Sequence, residues 1–213
     1  MSSARAQAGI APSTLSLPAL EVRDLASAWA GPFSLSLAGG ECLAVQGPSG
    51  SGKSQLLRMI ADLDQNSGEV TLYGQIRESM KAPDWRRQVV YQAAEPAWWE
   101  ATAGEHFSLA QADRVAALLP RLGLREAHLT ADVMRLSTGE RQRMALIRSL
   151  AVEPCVLLLD EPTAALDGPS VEAVEQLLRE RLQAGLAIVL VTHSTQQAER
   201  MGDRQMTIAP RPR

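Results

Sequence analysis

"CLAVQGPSGSGKSQLLRMIADL", Cys42 to Leu63, is the stretch that decides the fold. It opens on a continuous apolar run of strand length, "CLAVQ". It ends in a helical pattern, with Leu56, Leu57, Ile60 and Leu63 on one face. Between the two lie Gly47, Pro48, Ser49, Gly50, Ser51, Gly52, Lys53 and Ser54. This is the full phosphate-loop pattern: a glycine, four residues, then Gly-Lys-Ser. Glycines let successive backbone N–H groups turn inward around phosphate. The helix that follows points its positive end at the same place. Lys53 is expected to neutralise the outer phosphates, and the Ser54 hydroxyl to bind Mg²⁺.

A second stretch belongs with the first. "VLLLDEP" is an apolar strand that ends in two acids, Asp160 and Glu161. A buried parallel strand delivers its C-terminal residue to the ligand-binding edge of the sheet. Asp160 is expected to hold Mg²⁺, directly or through water, and Glu161 to polarise the attacking water.

Outward from these, "LEV" and "FSLSL" are short strands before the phosphate loop, and "AGGE" makes a turn between them and "CLAVQ". "GEVTLYG" reads as an edge strand and "RQVVYQ" as another strand. From Thr102 to Val133 the chain is Ala- and Leu-rich with helical periodicity, interrupted at Pro120 and Gly123. This predicts a helical subdomain over about 96–152, ending in a helix from Thr138 to about Val152. After it come the strand "CVLLLD", a helix stopped by Gly185, the strand "AIVLVT", a short helix near Gln196 and a last strand near "QMTIA". Apolar strands alternating with helices predict an α/β fold with a mostly parallel core sheet covered on both faces, preceded by antiparallel strands. The division expected is a disordered leader over residues 1–18, rich in Ala, Ser and Pro, and one domain over 19–213.

The 213 residues carry a formal net charge of −3, with 46% hydrophobic and 21% charged residues. That balance argues against a dedicated nucleic-acid binder, which would show a basic domain. Two cysteines, Cys42 and Cys155, fall in apolar runs and read as buried thiols in a reducing cytosol. No apolar run approaches the roughly 18 residues that span a bilayer. The chain is expected in the cytoplasm, meeting a membrane only through a partner.

"GPSGSGKS", "LSTGERQR", "VLLLDEPTAALD" and "VTHS" stand in the order and spacing of the ATP-binding cassette (ABC) transporter ATPases, which the chain resembles from about Leu20 onward. The resemblance implies a P-loop ATPase that binds ATP and Mg²⁺ and works as a head-to-tail dimer, either with itself or with a close relative. Each signature loop then caps the nucleotide held by the other subunit. On this chain the loop is Ser137, Thr138, Gly139 and Glu140, with Ser137 and Gly139 reaching the γ-phosphate across the interface. Ser137 and Glu140 also read as a capping box, and both readings are compatible. Asp167 is the acid of the loop that runs between subunits. The resemblance implies that His193 contacts the γ-phosphate and helps hold the attacking water. Trp29 lies where the family has an aromatic that stacks on adenine; a core position is the alternative for that residue. The cassette is expected to power solute translocation by an integral membrane permease subunit, peripheral on the inner face of the cell membrane. A soluble ABC ATPase and a nucleotide-gated regulatory module that hydrolyses little are the alternatives.

Three departures stand out. Thr138 replaces a glycine and Glu140 a glutamine of the family's usual LSGGQ. Aligning "YQAAEP" on Tyr91 and Pro96 puts Ala94 where the family has a Gln that touches Mg²⁺. Either Gln92 substitutes through a shifted loop, or Mg²⁺ takes one more water; slower or less tightly coupled hydrolysis is expected. "PAWWEAT" follows; in the family this region receives the membrane subunit, so the resemblance implies Gln92 to Trp99 as the contact with the permease. There, Trp98 and Trp99 form either an aromatic anchor or a local core with a cover. The compact length and the "WRRQVVYQ…P…LSTGERQR" segment are similar to cassettes of the metal (iron) export type.

Overall fold

The structure is a computed structural model that describes residues 17–209. All but residues 17 and 18 of the expected leader lie outside the described residues. The chain runs through β1 (Leu20–Ala26), β2 (Phe33–Leu37) and β3 (Cys42–Gln46) into the phosphate loop and α1 (Lys53–Ile60). Next come β4 (Ser67–Leu72), β5 (Gln75–Ile76), α2 (Ala82–Gln88) and β6 (Val89–Gln92). A stretch of short 3-10 turns then carries α3 (Ala112–Leu118) and α4 (Ala127–Thr130) and leads to α5 (Thr138–Ala151). The chain finishes with β7 (Val156–Asp160), α6 (Gly168–Gln183), β8 (Ala187–Val191), α7 (Thr195–Met201) and β9 (Arg204–Thr207).

The strands form two sheets. One is antiparallel, in the order β2-β1-β4-β5, and the other is parallel, in the order β6-β7-β8-β3-β9. Every residue of β7 and β8 is buried, which is why their sequences are continuously apolar. Alternate residues serve opposite faces. Val156, Leu158, Val189 and Val191 pack against α1, α2 and the antiparallel sheet. Leu157, Leu159, Ile188 and Leu190 pack against α3, α5 and α6. Each buried aliphatic side chain contributes about 1.5–3 kcal/mol relative to exposure, so a slip of one register, which exchanges the two sets, is strongly opposed.

The strand order sets the site. β8 lies between β7 and β3, so the ends of β3, β7 and β8 deliver Gly47, Asp160 and His193 to one edge. This is where ligands bind open α/β sheets.

β4 is an edge strand for most of its length, since β5 pairs only with Thr71 and Leu72. Other expectations change. The strand expected from Arg87 starts at Val89. Residues up to Gln88 belong to α2, whose Trp85 is 1% exposed and donates from Nε1 to the Ile60 carbonyl at 2.9 Å. Cys155 is only half-buried, since it precedes β7 rather than lying in it, while Cys42 is fully buried. The helical pattern around Pro120 and Gly123 breaks into short pieces, because Pro120 opens a 3-10 turn and Gly123 ends it at φ +65°.

Candidate functional site

The phosphate loop connects β3 to α1 through backbone that only glycine adopts easily. Gly50 has φ +77° and faces open space; Gly52 has φ +101° and stands at the start of α1 with no side-chain cap. The first N–H groups of that helix are therefore available to an anion. Lys53 is buried, and its Nζ donates to the carbonyls of Gly47 at 2.8 Å and Pro48 at 3.0 Å. The ammonium is thus held at the mouth of its own loop.

Ser49, Gly50, Gly52, Lys53 and Ser54 line a cavity of about 430 Å³. Trp29, Ala94, Asp160, Glu161 and His193 line the same cavity. Gly47, Pro48 and Ser51 support the loop from behind; Ser51 donates its N–H to Pro48 at 3.2 Å. Trp29 is 77% exposed, which removes the core alternative and leaves its indole face open at the cavity.

Asp160 is 4% exposed, and its Oδ2 accepts a hydrogen bond from the Tyr91 hydroxyl at 3.1 Å. Burial and the neighbouring Asp160 charge push the Tyr91 phenol up, which keeps it a donor. Glu161 sits in left-handed backbone at φ +50°, a strained conformation for a non-glycine residue. Its N–H donates to Val191 at 3.0 Å, and its carbonyl accepts from Gln142 at 3.4 Å. Its Oε1 lies 3.4 Å from His193 Nε2, and its Oε2 accepts the His193 backbone N–H at 3.4 Å. Burial pushes the Glu161 carboxyl up, while the adjacent His193 acts in the opposite direction. A raised carboxylate beside an imidazole can accept a proton from bound water.

Gln92 is not part of this group. It ends β6 opposite Leu159, is 3% exposed, and faces away from the cavity. Neither its Oε1 nor its Nε2 has a hydrogen-bond partner among the described residues. The idea that a shifted loop brings it to the metal is therefore corrected: strand pairing fixes its side chain on the far face. Ala94, exposed, takes the place at the cavity wall.

The signature residues are not brought to this cavity either. Ser137 caps α5: its Oγ accepts the Glu140 N–H at 3.2 Å and donates to Glu140 Oε2 at 2.8 Å. The Ser137 backbone N–H also donates to Glu140 at 2.8 Å and, with the hydroxyl, holds that carboxyl below the usual range. Ser137 and Thr138 are exposed, while Gly139 packs so closely that a Cβ would lie 3.3 Å from the Ala165 carbonyl. Asp167 caps α6 by accepting the Ser170 N–H at 3.0 Å.

In the Trp-Trp segment, Trp98 is half-buried against the helical core, and Trp99 is 68% exposed. The Arg148 guanidinium lies 4.5 Å from the centre of the Trp98 ring and 4.9 Å from that of Trp99. His106 meets both rings edge-on. One tryptophan therefore anchors the loop, and the other presents a rigid aromatic face to solvent.

Sequence reasoning used Tyr91 only to align the segment and passed over Gln142. Both touch the candidate acids, Asp160 and Glu161, through contacts distant in sequence, for which no local pattern exists.

The ABC transporter family model matches residues 31–164. The lipoprotein-releasing system ATP-binding protein LolD of Shewanella oneidensis is 42% identical over 192 residues, covering 79% of this chain and 80% of that relative. The taurine import ATP-binding protein TauB of Roseobacter denitrificans is 38% identical over 190 residues, covering 84% and 69%. The dimeric structure of MJ0796, a bacterial ABC transporter cassette, superposes with a TM-score of 0.78 at 25% identity, covering 89% of this chain and 94% of that one. With a phosphate loop, two strand-end acids and a histidine around one cavity, and the family model spanning the first of these elements through the acids, the chain belongs to the ABC transporter family of ATPases.

Proposed function

We propose that the chain is the ATP-hydrolysing subunit of a membrane transporter, acting as a head-to-tail dimer with itself or a close relative. One observation carries this reading: Lys53, Ser54, Asp160, Glu161 and His193 converge on one cavity, while Ser137 and Thr138 stand exposed outside it, with Gly139 and Glu140 half-buried beside them. Each chain thus offers half of a site and the wall for another. The phosphate loop and Lys53 bind the phosphates, and Trp29 stacks on adenine. Glu161 takes a proton from the attacking water as its oxygen bonds the γ-phosphorus, and ADP leaves on the bridging oxygen. His193 holds that water and the γ-phosphate.

The donor set fits Mg²⁺. Ser54 and Asp160 supply hard oxygens at the same cavity, and phosphate oxygens and water complete such a shell. Bound there, Mg²⁺ would neutralise charge developing on the phosphates.

We place the chain on the inner face of the cell membrane, docked through Gln92 to Trp99 on a permease subunit. The exposed face of Trp99 supports that contact. Among the described residues no helix is long and apolar enough to cross a membrane. The relatives serve different solutes, lipoproteins and taurine, which fits a cassette whose solute is chosen by its partner. For this chain the segment from Trp85 to Arg143 supports metal (iron) export. Ala94 at the cavity wall favours one second reading, a nucleotide-gated module with weak hydrolysis. ATP turnover by the purified chain, its loss in Lys53→Met, and fractionation with membranes test the proposal together. Absence of Lys53-dependent turnover leaves the gated module, and a chain never recovered with membranes removes the transporter role.

A further inference from the structure

A buried carboxylate lies outside the catalytic group. Glu175 of α6 has a side chain only 3% exposed. It accepts hydrogen bonds from Arg200 Nε at 2.9 Å, a second Arg200 nitrogen at 2.7 Å, Arg179 at 3.2 Å and Gln197 Nε2 at 3.2 Å. A carboxylate this deep is tolerated only with its oxygens fully engaged.

Gln197 continues the chain of contacts. It is 3% exposed, and its Nε2 also donates to Thr163 Oγ1 at 2.9 Å, whose hydroxyl lies 3.2 Å from Gln197 Oε1. Thr163 stands two residues after Glu161. Gln197 stands four residues after His193, in the helix capped by Ser194. Glu175 belongs to the helix that Asp167 caps. The segments carrying Glu161, His193 and Asp167 therefore meet at one amide and one carboxylate.

The surroundings make these bonds matter. A cavity of about 1010 Å³ runs along the same segments, and Glu161, Thr163, His193, Glu175, Gln197 and Arg200 all line it. Apolar packing does not fill that side of the loop after Glu161. Glu161 is itself strained at φ +50°, and such a residue persists only where its surroundings over-determine it.

We propose that Gln197, anchored by Glu175, is a positioning residue for hydrolysis, fixing the distance between Glu161 and His193 through Thr163. This rests on the assignment of Glu161 and His193 to the hydrolytic step. Neither Gln197 nor Thr163 touches substrate. Their role is to stop the loop after Glu161 from sliding against the start of α7.

The test uses the full chain with Thr163→Val, Gln197→Met, their double variant and the conservative Thr163→Ser. Steady-state ATP turnover, the thermal midpoint and ATP-driven dimerisation in a Glu161→Gln background are measured for each. The expected result is a fall in kcat of about fivefold or more in both single variants, with KM for ATP and dimerisation within about twofold; the midpoint falls in both, because each leaves a buried polar group short of a partner. The double variant falls no further than the worse single one, as for two residues of one linkage, and Thr163→Ser keeps turnover within about twofold. Unchanged kcat in Thr163→Val and Gln197→Met overturns the proposal. So does a fall in kcat matched by losses of ATP affinity or of dimerisation, which marks a merely structural role. An inactive wild-type chain in the same assay would instead refute the hydrolytic assignment itself.

Discussion

Replacing Ser137 separates two jobs that one hydroxyl performs. Within the chain, Ser137 Oγ caps α5 through the Glu140 N–H at 3.2 Å and the Glu140 carboxylate at 2.8 Å. Loss of such a cap to alanine costs about 1 kcal/mol, but loss to glycine only a few tenths. For a chain of this size each kcal/mol moves the melting midpoint by about 2–4 °C. In the dimer the same hydroxyl is assigned to the partner's γ-phosphate, where a hydrogen bond to a charged group contributes about 1.5–3 kcal/mol. Two equivalent sites double that to about 3–6 kcal/mol, or roughly 10²- to 10⁴-fold in the dimer dissociation constant. Ser137→Gly in a Glu161→Gln background should therefore melt within about 2 °C of its parent yet lose ATP-driven dimerisation as severely as Ser137→Ala. Sedimentation with Mg-ATP and a thermal melt measure the two effects independently. If dimerisation weakens only in step with the melting midpoint, Ser137 is a helix cap and nothing more.

Further outcomes are expected elsewhere. Ala94→Gln adds an amide at the cavity wall and should raise ATP turnover; identical rates would show that the wall position is silent. Replacing both Trp98 and Trp99 by alanine should release the chain from membranes while ATP binding stays intact, whereas retained membrane association counts against the aromatic face as the contact. Burial raises the Glu175 carboxyl, but the Arg200 and Gln197 hydrogen bonds and the arginine charges more than reverse this, leaving it below the ordinary glutamate range. The stability this supplies is full above the unfolded-state value and is lost as pH falls through the folded one. Denaturation midpoints followed from neutral to acid pH should thus decline less steeply in Glu175→Gln than in the parent, and parallel curves would contradict that linkage.

What the sequence displayed was whatever depends on local order. The phosphate loop, the apolar strands and the capping box of Ser137 and Glu140 are written in residues a few positions apart, and the structure shows each of them. Trp85 was opaque because its burial and its bond to Ile60 depend on α2 folding back over α1. β5, which pairs only with the end of β4, was missed because a two-residue strand leaves almost no periodic signal. Gln92 was left open, since only pairing with β7 decides which face its side chain takes. The Glu175, Gln197 and Thr163 linkage was invisible for the same reason: its members come from three segments that converge only after the parallel sheet has formed.

The central claim is that a complete nucleotide site needs two chains. Sedimentation equilibrium of Glu161→Gln, with Mg-ATP and then without it, tests this most directly. The expected result is a dimer holding two ATP molecules that dissociates when nucleotide is removed. A saturated chain that stays monomeric, alone and together with a membrane partner, contradicts it.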